Sequence, residues 1–220
     1  MKVRFFDPSR EYLKYKEEID AAIHGVLSSG QLVLGHSPHI EKFEKEFAKF
    51  IGVKHAIMCG AGTHALYLAY RALGIGPGDE VITTSHTYIA TIDQIVAVGA
   101  MPILVDIGDD GLIDHVEVEK EITPRTKAIV PVHLEGKVCD ILAILEIAKK
   151  YKLHVIEDSA QAIGAKTYLT ILDASHGDIE TFGHSVGWFG DAGCFSFYPA
   201  KILGSAGNAG AVTTNDPKIY

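Results

Sequence analysis

The sequence is poor in the features that mark several functional classes. It has only three cysteines, Cys59, Cys139 and Cys194, and they lie far apart without a C-x-x-C pair. Their odd number and mostly apolar surroundings argue against a disulfide framework and for reduced, buried thiols. Basic residues are outnumbered, with 20 Lys and Arg against 28 Asp and Glu and a formal charge of −8. A protein whose main task is gripping nucleic acid or an anionic membrane needs a basic face, so neither partner is expected. No apolar run approaches the roughly 18 residues needed to cross a bilayer. Met1 to Asp7 carries no apolar core of the kind a signal peptide needs, which leads to the expectation of a cytoplasmic protein. There is no Walker loop, no G-x-G-x-x-G after a first strand, no internal repeat and no low-complexity segment.

What is present is an ordinary globular composition, 47% hydrophobic and 22% charged, with no linker to divide the chain. From about residue 54 short β-branched runs alternate with helical stretches. Strands are expected at Glu80 to Thr84, Pro102 to Asp106, Ala128 to Val132, His154 to Glu157, Cys194 to Phe197 and Ala211 to Thr214. Helices are expected over Thr63 to Leu73, ended by Gly74, over Thr91 to Val98, ended by Gly99, and over Ile141 to Lys150, capped by Asp140. Strands separated by helices imply an α/β fold with a mostly parallel sheet and ligands at the carboxyl ends of its strands. Residues 1–50 read as a helical arm, with amphipathic helices over Tyr12 to Leu27 and Ile40 to Phe50 joined through Ser28 to Gly35. Residues 51–220 read as the main domain.

Several residues fall where chemistry is expected. Gly60-Ala61-Gly62-Thr63 leads into a helix, so free backbone N–H groups, a positive dipole end and a hydroxyl meet, a combination that suits phosphate. Glycine turns before helices are also common without any ligand. Asp158 follows a strand, where a buried carboxylate favours a protonated ring nitrogen, and Gln161 lies three residues on. An acid at such a place is otherwise a cap or a loop contact. Lys201 stands in the apolar run Phe195-Ser196-Phe197-Tyr198-Pro199-Ala200. Desolvation there would free its amine to attack a carbonyl, unless the side chain only snorkels to the surface. Ser196 could donate to a phosphate. Tyr88 follows the strand that ends at Thr84 and could stack on a flat ring or simply pack. His36, His39, His176 and His184 show no metal-ligand spacing, and no metal is assigned.

Taken together these motifs resemble the DegT/DnrJ/EryC1/StrS family of pyridoxal-phosphate (PLP) dependent sugar aminotransferases, of the aspartate-aminotransferase fold type I. The resemblance spans nearly the whole chain. It rests on Phe43 to Ala48, Gly60 to Leu66, Ala72 to Ile82, Thr126 to Leu134, Ile156 to Ala165 and Gly190 to Lys201, in that order. It implies that Lys201 holds PLP covalently, that Asp158 pairs with the pyridinium nitrogen and that Gln161 contacts the ring hydroxyl. It further implies phosphate contacts from Gly62, Thr63 and Ser196, with Tyr88 stacked on the ring. The implied substrates are a nucleotide-linked keto-sugar and glutamate, and the implied assembly is a homodimer. Relatives that remove a sugar hydroxyl carry histidine at the lysine position, so Lys201 favours transamination. A sugar dehydratase and a non-catalytic PLP-binding partner subunit are the rival readings.

Three departures from the family pattern stand out. Residues 166–185 replace a short turn and are expected to form a surface excursion. The run Gly207-Asn208-Ala209-Gly210 lacks the usual acid followed by two glycines. Relatives also continue for about another domain, which leads to the expectation that a small C-terminal domain is missing and that the chain is truncated.

Overall fold

The structure is a computed structural model that describes residues 6–32, 37–172 and 179–220. Its elements in chain order are α1 (Pro8–Lys14), α2 (Lys16–Ser29), α3 (Pro38–Ile51), β1 (His55–Cys59), α4 (Gly62–Ala72), β2 (Glu80–Thr84), α5 (Ala90–Ala97) and β3 (Met101–Val105). There follow α6 (His115–Lys120), β4 (Thr126–Val130), α7 (Ile141–Tyr151), β5 (His154–Asp158), β6 (Lys166–Leu172), β7 (Ile179–Ser185), β8 (Ala192–Ser196) and β9 (Gly210–Thr214).

Seven strands form one sheet in the order β1-β9-β8-β5-β4-β2-β3. Strand β9 runs antiparallel to both of its neighbours, β1 and β8, and every other pairing is parallel. Strands β2, β8 and β9 are buried along their whole length, as continuous apolar or β-branched runs are when both faces of a sheet are covered. Strand β3 closes one edge, which is why Pro102, having no N–H to give, is accommodated there.

The alternation of side chains along the strands feeds a layer on each face. On one face Val81, Ala128, Val130, Ile156, Cys194 and Val212 pack with Leu66 and Tyr70 of α4 and Ile95 of α5. On the other, Ile82, Ile129 and Val155 meet Ile144 and Ile147 of α7 and Val118 of α6. Further along that second face Ala56, Phe195 and Ala211 meet Phe47, Ala48 and Ile51 of α3. Phe47 stands edge-on to both Phe195 and Phe197, with ring centroids 5.0 and 5.3 Å apart. Helix α3 is therefore part of the core, whereas α1 and α2 bury no residue.

One detail differs from the sequence expectation and a second adds to it. The helix expected over Tyr12 to Leu27 is split in two at Tyr15, which has a non-helical ψ of 25°. Within the segment from 166 to 185, β6 and β7 pair as a regular antiparallel ribbon, with Lys166 opposite Ser185 and Leu172 opposite Ile179. It carries exposed Tyr168 and Phe182. His176, and His36 with Val33 to Gly35 of the expected joining segment, lie outside the described residues.

Candidate active site

Strands β1, β2, β4, β5 and β8 share one direction, so their carboxyl ends lie along one edge of the sheet. The segments leaving those ends surround a cavity of about 550 Å³. Ala61, Gly62 and Thr63 come from the end of β1, Thr87 and Tyr88 from β2, and Val132 from β4. Asp158 and Gln161 come from β5, and Ser196 and Lys201 from β8. The seven residues singled out in the sequence, Gly62, Thr63, Tyr88, Asp158, Gln161, Ser196 and Lys201, all line this one space.

The phosphate-type end is built by close backbone packing. Ala61 is extended and no side chain caps α4, so the first N–H groups of that helix face the cavity end without an internal partner. Gly210 pairs with Cys59 on one side and Ser196 on the other. A Cβ at Gly210 would come within 2.4 Å of the Ala61 carbonyl carbon and 2.6 Å of the Gly62 nitrogen. A Cβ at Gly62 would come within 2.7 Å of Ser196 Cβ. The two glycines thus bring the start of α4 against the Ser196 hydroxyl, which gathers N–H and O–H donors around the positive end of a helix dipole.

At the cavity floor Asp158 is buried, 5% exposed, and its backbone is fixed by Asp158 N–H to Pro131 O at 2.9 Å and His133 N–H to Asp158 O at 3.0 Å. Its carboxylate accepts the Thr91 hydroxyl at Oδ2, 2.7 Å, and the Ala160 N–H at Oδ1, 3.1 Å. Burial pushes its pKa above the ordinary carboxylate value, and the Thr91 and Ala160 hydrogen bonds with the nearby Lys201 charge pull back against that. Two of the carboxylate's acceptor positions are taken by protein donors, which leaves acceptor capacity for a ring N–H. Gln161 is oriented in the same way: its Oε1 accepts the Glu135 N–H at 3.1 Å, so its NH₂ is the group left to donate. Glu135 adopts a left-handed conformation, φ 56°, to make that contact.

Lys201 follows the turn at Tyr198-Pro199-Ala200, its N–H bound to Tyr198 O at 2.8 Å. Burial lowers its pKa below that of an ordinary lysine, and the Asp158 charge partly restores it. A larger share of neutral amine at a given pH is the state a nucleophilic lysine requires. Tyr88, at the mouth, is 68% exposed, so an aromatic face is available there.

Behind the site lies a second buried cluster that the sequence reading did not single out. Glu157 is fully buried and accepts N–H groups from Gly187, Phe189 and Gly190 at 2.8–2.9 Å and Nε2 of His133 at 3.0 Å. Burial alone would depress the His133 imidazole, but its contacts with Cys139 and Glu157 outweigh this and raise its pKa. Glu157 therefore anchors the turn that leads into β8, on which Ser196 and Lys201 depend. His184, considered among the histidines, stacks on Trp188 with centroids 3.7 Å apart. Among the described residues no group of three or more His, Cys, Asp and Glu side chains is placed to hold a metal ion.

This architecture is that of the large domain of PLP-dependent transferases of fold type I. The chain belongs to the DegT/DnrJ/EryC1/StrS aminotransferase family, whose model matches residues 14–220. It is 44% identical over 219 residues to the dTDP-3-amino-3,4,6-trideoxy-alpha-D-glucose transaminase of Streptomyces venezuelae, covering 99% of this chain and 54% of that protein. It is 49% identical over 181 residues to the GDP-perosamine synthase of Caulobacter vibrioides, covering 82% of this chain and 45% of that protein. The solved structure of S. venezuelae DesV superimposes with a TM-score of 0.88 at 44% identity, over 99% of this chain and 55% of that one. The chain thus spans about half the length of the curated relatives it matches.

The family's cofactor is pyridoxal 5′-phosphate. The cavity fits that group on its own chemistry: donors cluster at one end, a buried carboxylate with spare acceptor capacity lies at the floor, and an amide donor and an amine stand beside it. Its volume is that of an ordinary small-molecule site.

Proposed function

We propose that this chain is the PLP-binding part of an aminotransferase that moves an amino group, from glutamate, onto a keto-sugar linked to a nucleotide. The observation that carries this reading is the gathering of Lys201, Asp158, Gln161 and the Gly62–Thr63–Ser196 cradle around one cavity. The family membership, and the activities named for the S. venezuelae and C. vibrioides proteins, support it.

Bound in this cavity, PLP supplies an electron-withdrawing ring that lets an amino group leave one carbon and join another. The chain's own residues do the rest. The first N–H groups of α4, the Thr63 hydroxyl and the Ser196 hydroxyl hold the phosphate. Asp158 accepts the ring N–H and balances its charge, Gln161 donates to the ring oxygen, and Tyr88 covers one ring face. Lys201 would hold the cofactor at Nζ, and its free amine would accept and return a proton at Nζ, work suited to an amine whose pKa burial has lowered.

A second copy of the chain is the partner we assign. Tyr67 and Leu68 on α4 and Tyr88 and Ile89 before α5 are exposed, Tyr88 at the cavity itself, and exposed apolar surface of this kind is what an interface would cover. The compartment that suits three free thiols, two of them buried, is the cytoplasm. The test of function is direct: with PLP and glutamate, the protein that contains this chain should form 2-oxoglutarate in step with amination of dTDP-, UDP- or GDP-linked keto-sugars. PLP uptake without amino transfer to any member of such a panel would overturn the assignment.

A further inference from the structure

Asp158 is served by a chain of hydroxyls from Thr91 and Thr87. Thr91, the second residue of α5, is fully buried and its Oγ1 lies 2.7 Å from Asp158 Oδ2. An ionised carboxylate only accepts, so the Thr91 proton points to Asp158. Thr87 Oγ1 lies 2.8 Å from Thr91 Oγ1, and since Thr91 has spent its one proton, Thr87 donates to it. Thr87 itself lines the cavity. The chain therefore runs from the cavity wall to the carboxylate, every donor aimed at the anion. Tyr70, also fully buried, donates its hydroxyl to the Thr91 carbonyl at 3.2 Å and holds this first turn of α5 in place.

We propose that Thr91, with its hydroxyl directed by Thr87, is a positioning residue that fixes the rotation of the Asp158 carboxylate and keeps it ionised for a cationic ring nitrogen. This rests on the assignment of Asp158 to that nitrogen. The energetic need is clear from burial: desolvation works to protonate Asp158, and a protonated acid could neither accept the ring N–H on both oxygens nor balance its charge. Thr91 is the largest of the influences that oppose this, ahead of the Ala160 N–H, Lys201 and His133. Burial raises the pKa of Tyr70 on α4 and of Cys194 on β8, and the Asp158 charge adds to both. Replacing the Thr91 hydroxyl leaves all of these groups in place, so its effect can be isolated.

The experiment follows the Asp158 carboxyl by carbon NMR in the full chain labelled with ¹³C at the aspartate carboxyls, using Asp158→Asn to assign the signal. PLP dissociation is measured in parallel. Thr91→Val, nearly isosteric but without the hydroxyl, should raise the carboxyl pKa by about one unit and weaken PLP binding roughly tenfold. Thr91→Ser should restore both. Thr87→Val should move the pKa the same way by less, and it remains informative if Thr91→Val folds poorly. A carboxyl that titrates in Thr91→Val and Thr87→Val as it does in the parent would overturn the proposal. The Asp158→Asn arm separates the two readings: unchanged PLP binding there would remove Asp158 from the ring nitrogen, whatever the threonine variants do to its titration.

Discussion

Lys201 and Asp158 are coupled through the cavity they share, and the coupling has a sign. Burial lowers the lysine's pKa while the Asp158 carboxylate raises it, so the two influences oppose each other. Asp158→Asn removes the one that raises it, and the Lys201 amine should then lose its proton at a lower pH than in the parent. Competitive acetylation of the lysines across pH measures this directly: Lys201 should titrate below the ordinary lysine value, and lower again in Asp158→Asn. A Lys201 that titrates like an exposed lysine in both proteins would contradict the described burial. The sequence already showed Lys201 in an apolar run and Asp158 at a strand end, because desolvation and strand position are local properties. It did not show Thr91, whose role depends on a contact across 67 residues. Nor did it show which way Gln161 points, since its orientation is set by the backbone of Glu135.

At the scale of elements, the cradle depends on how closely β9 passes the start of α4. Gly210→Ala would put a methyl group against Ala61 and Gly62 backbone atoms that cannot swing away. Overpacking of this kind costs about 1–3 kcal/mol, and it should separate the α4 N–H groups from Ser196. PLP affinity is therefore expected to fall at least about tenfold by equilibrium dialysis, and unaltered affinity would mean that the cradle is not where the phosphate sits. The Glu157 cluster makes a separate demand. Glu157→Ala leaves three backbone N–H groups in the 187–190 turn without their acceptor and should cost about 3–5 kcal/mol by denaturant unfolding. A loss below about 1 kcal/mol would show that the turn finds other partners. Helices α4, α5 and α7 and strands β2 to β5, β8 and β9 were legible from periodicity, glycine stops and the Asp140 cap, all features of consecutive residues. The break at Tyr15 and the β6–β7 ribbon were not, because the first carries no proline or glycine signal and the second replaces a turn without announcing its pairing. The short helix α6, capped by Asp114, escaped notice since six residues give too little period to read.

Across the whole molecule, the parallel sheet is the device that turns scattered motifs into a site. Residues between 61 and 209 in the chain meet because five parallel strands end on one edge, each followed by a segment that bends over it. That much follows from alternating strands and helices, and it is why all seven residues read from the sequence face one cavity. What the alternation does not contain is the order of the strands or the antiparallel insertion of β9 between β1 and β8, which places Gly210 against the α4 start. The central claim is that this edge holds PLP through Lys201, and trapping the bound cofactor tests it most directly. After incubation with PLP and reduction with borohydride, peptide mapping should find the pyridoxyl group on Lys201 alone, with none retained by Lys201→Ala at equal fold content. A label on another lysine, or equal labelling of Lys201→Ala, would contradict the account.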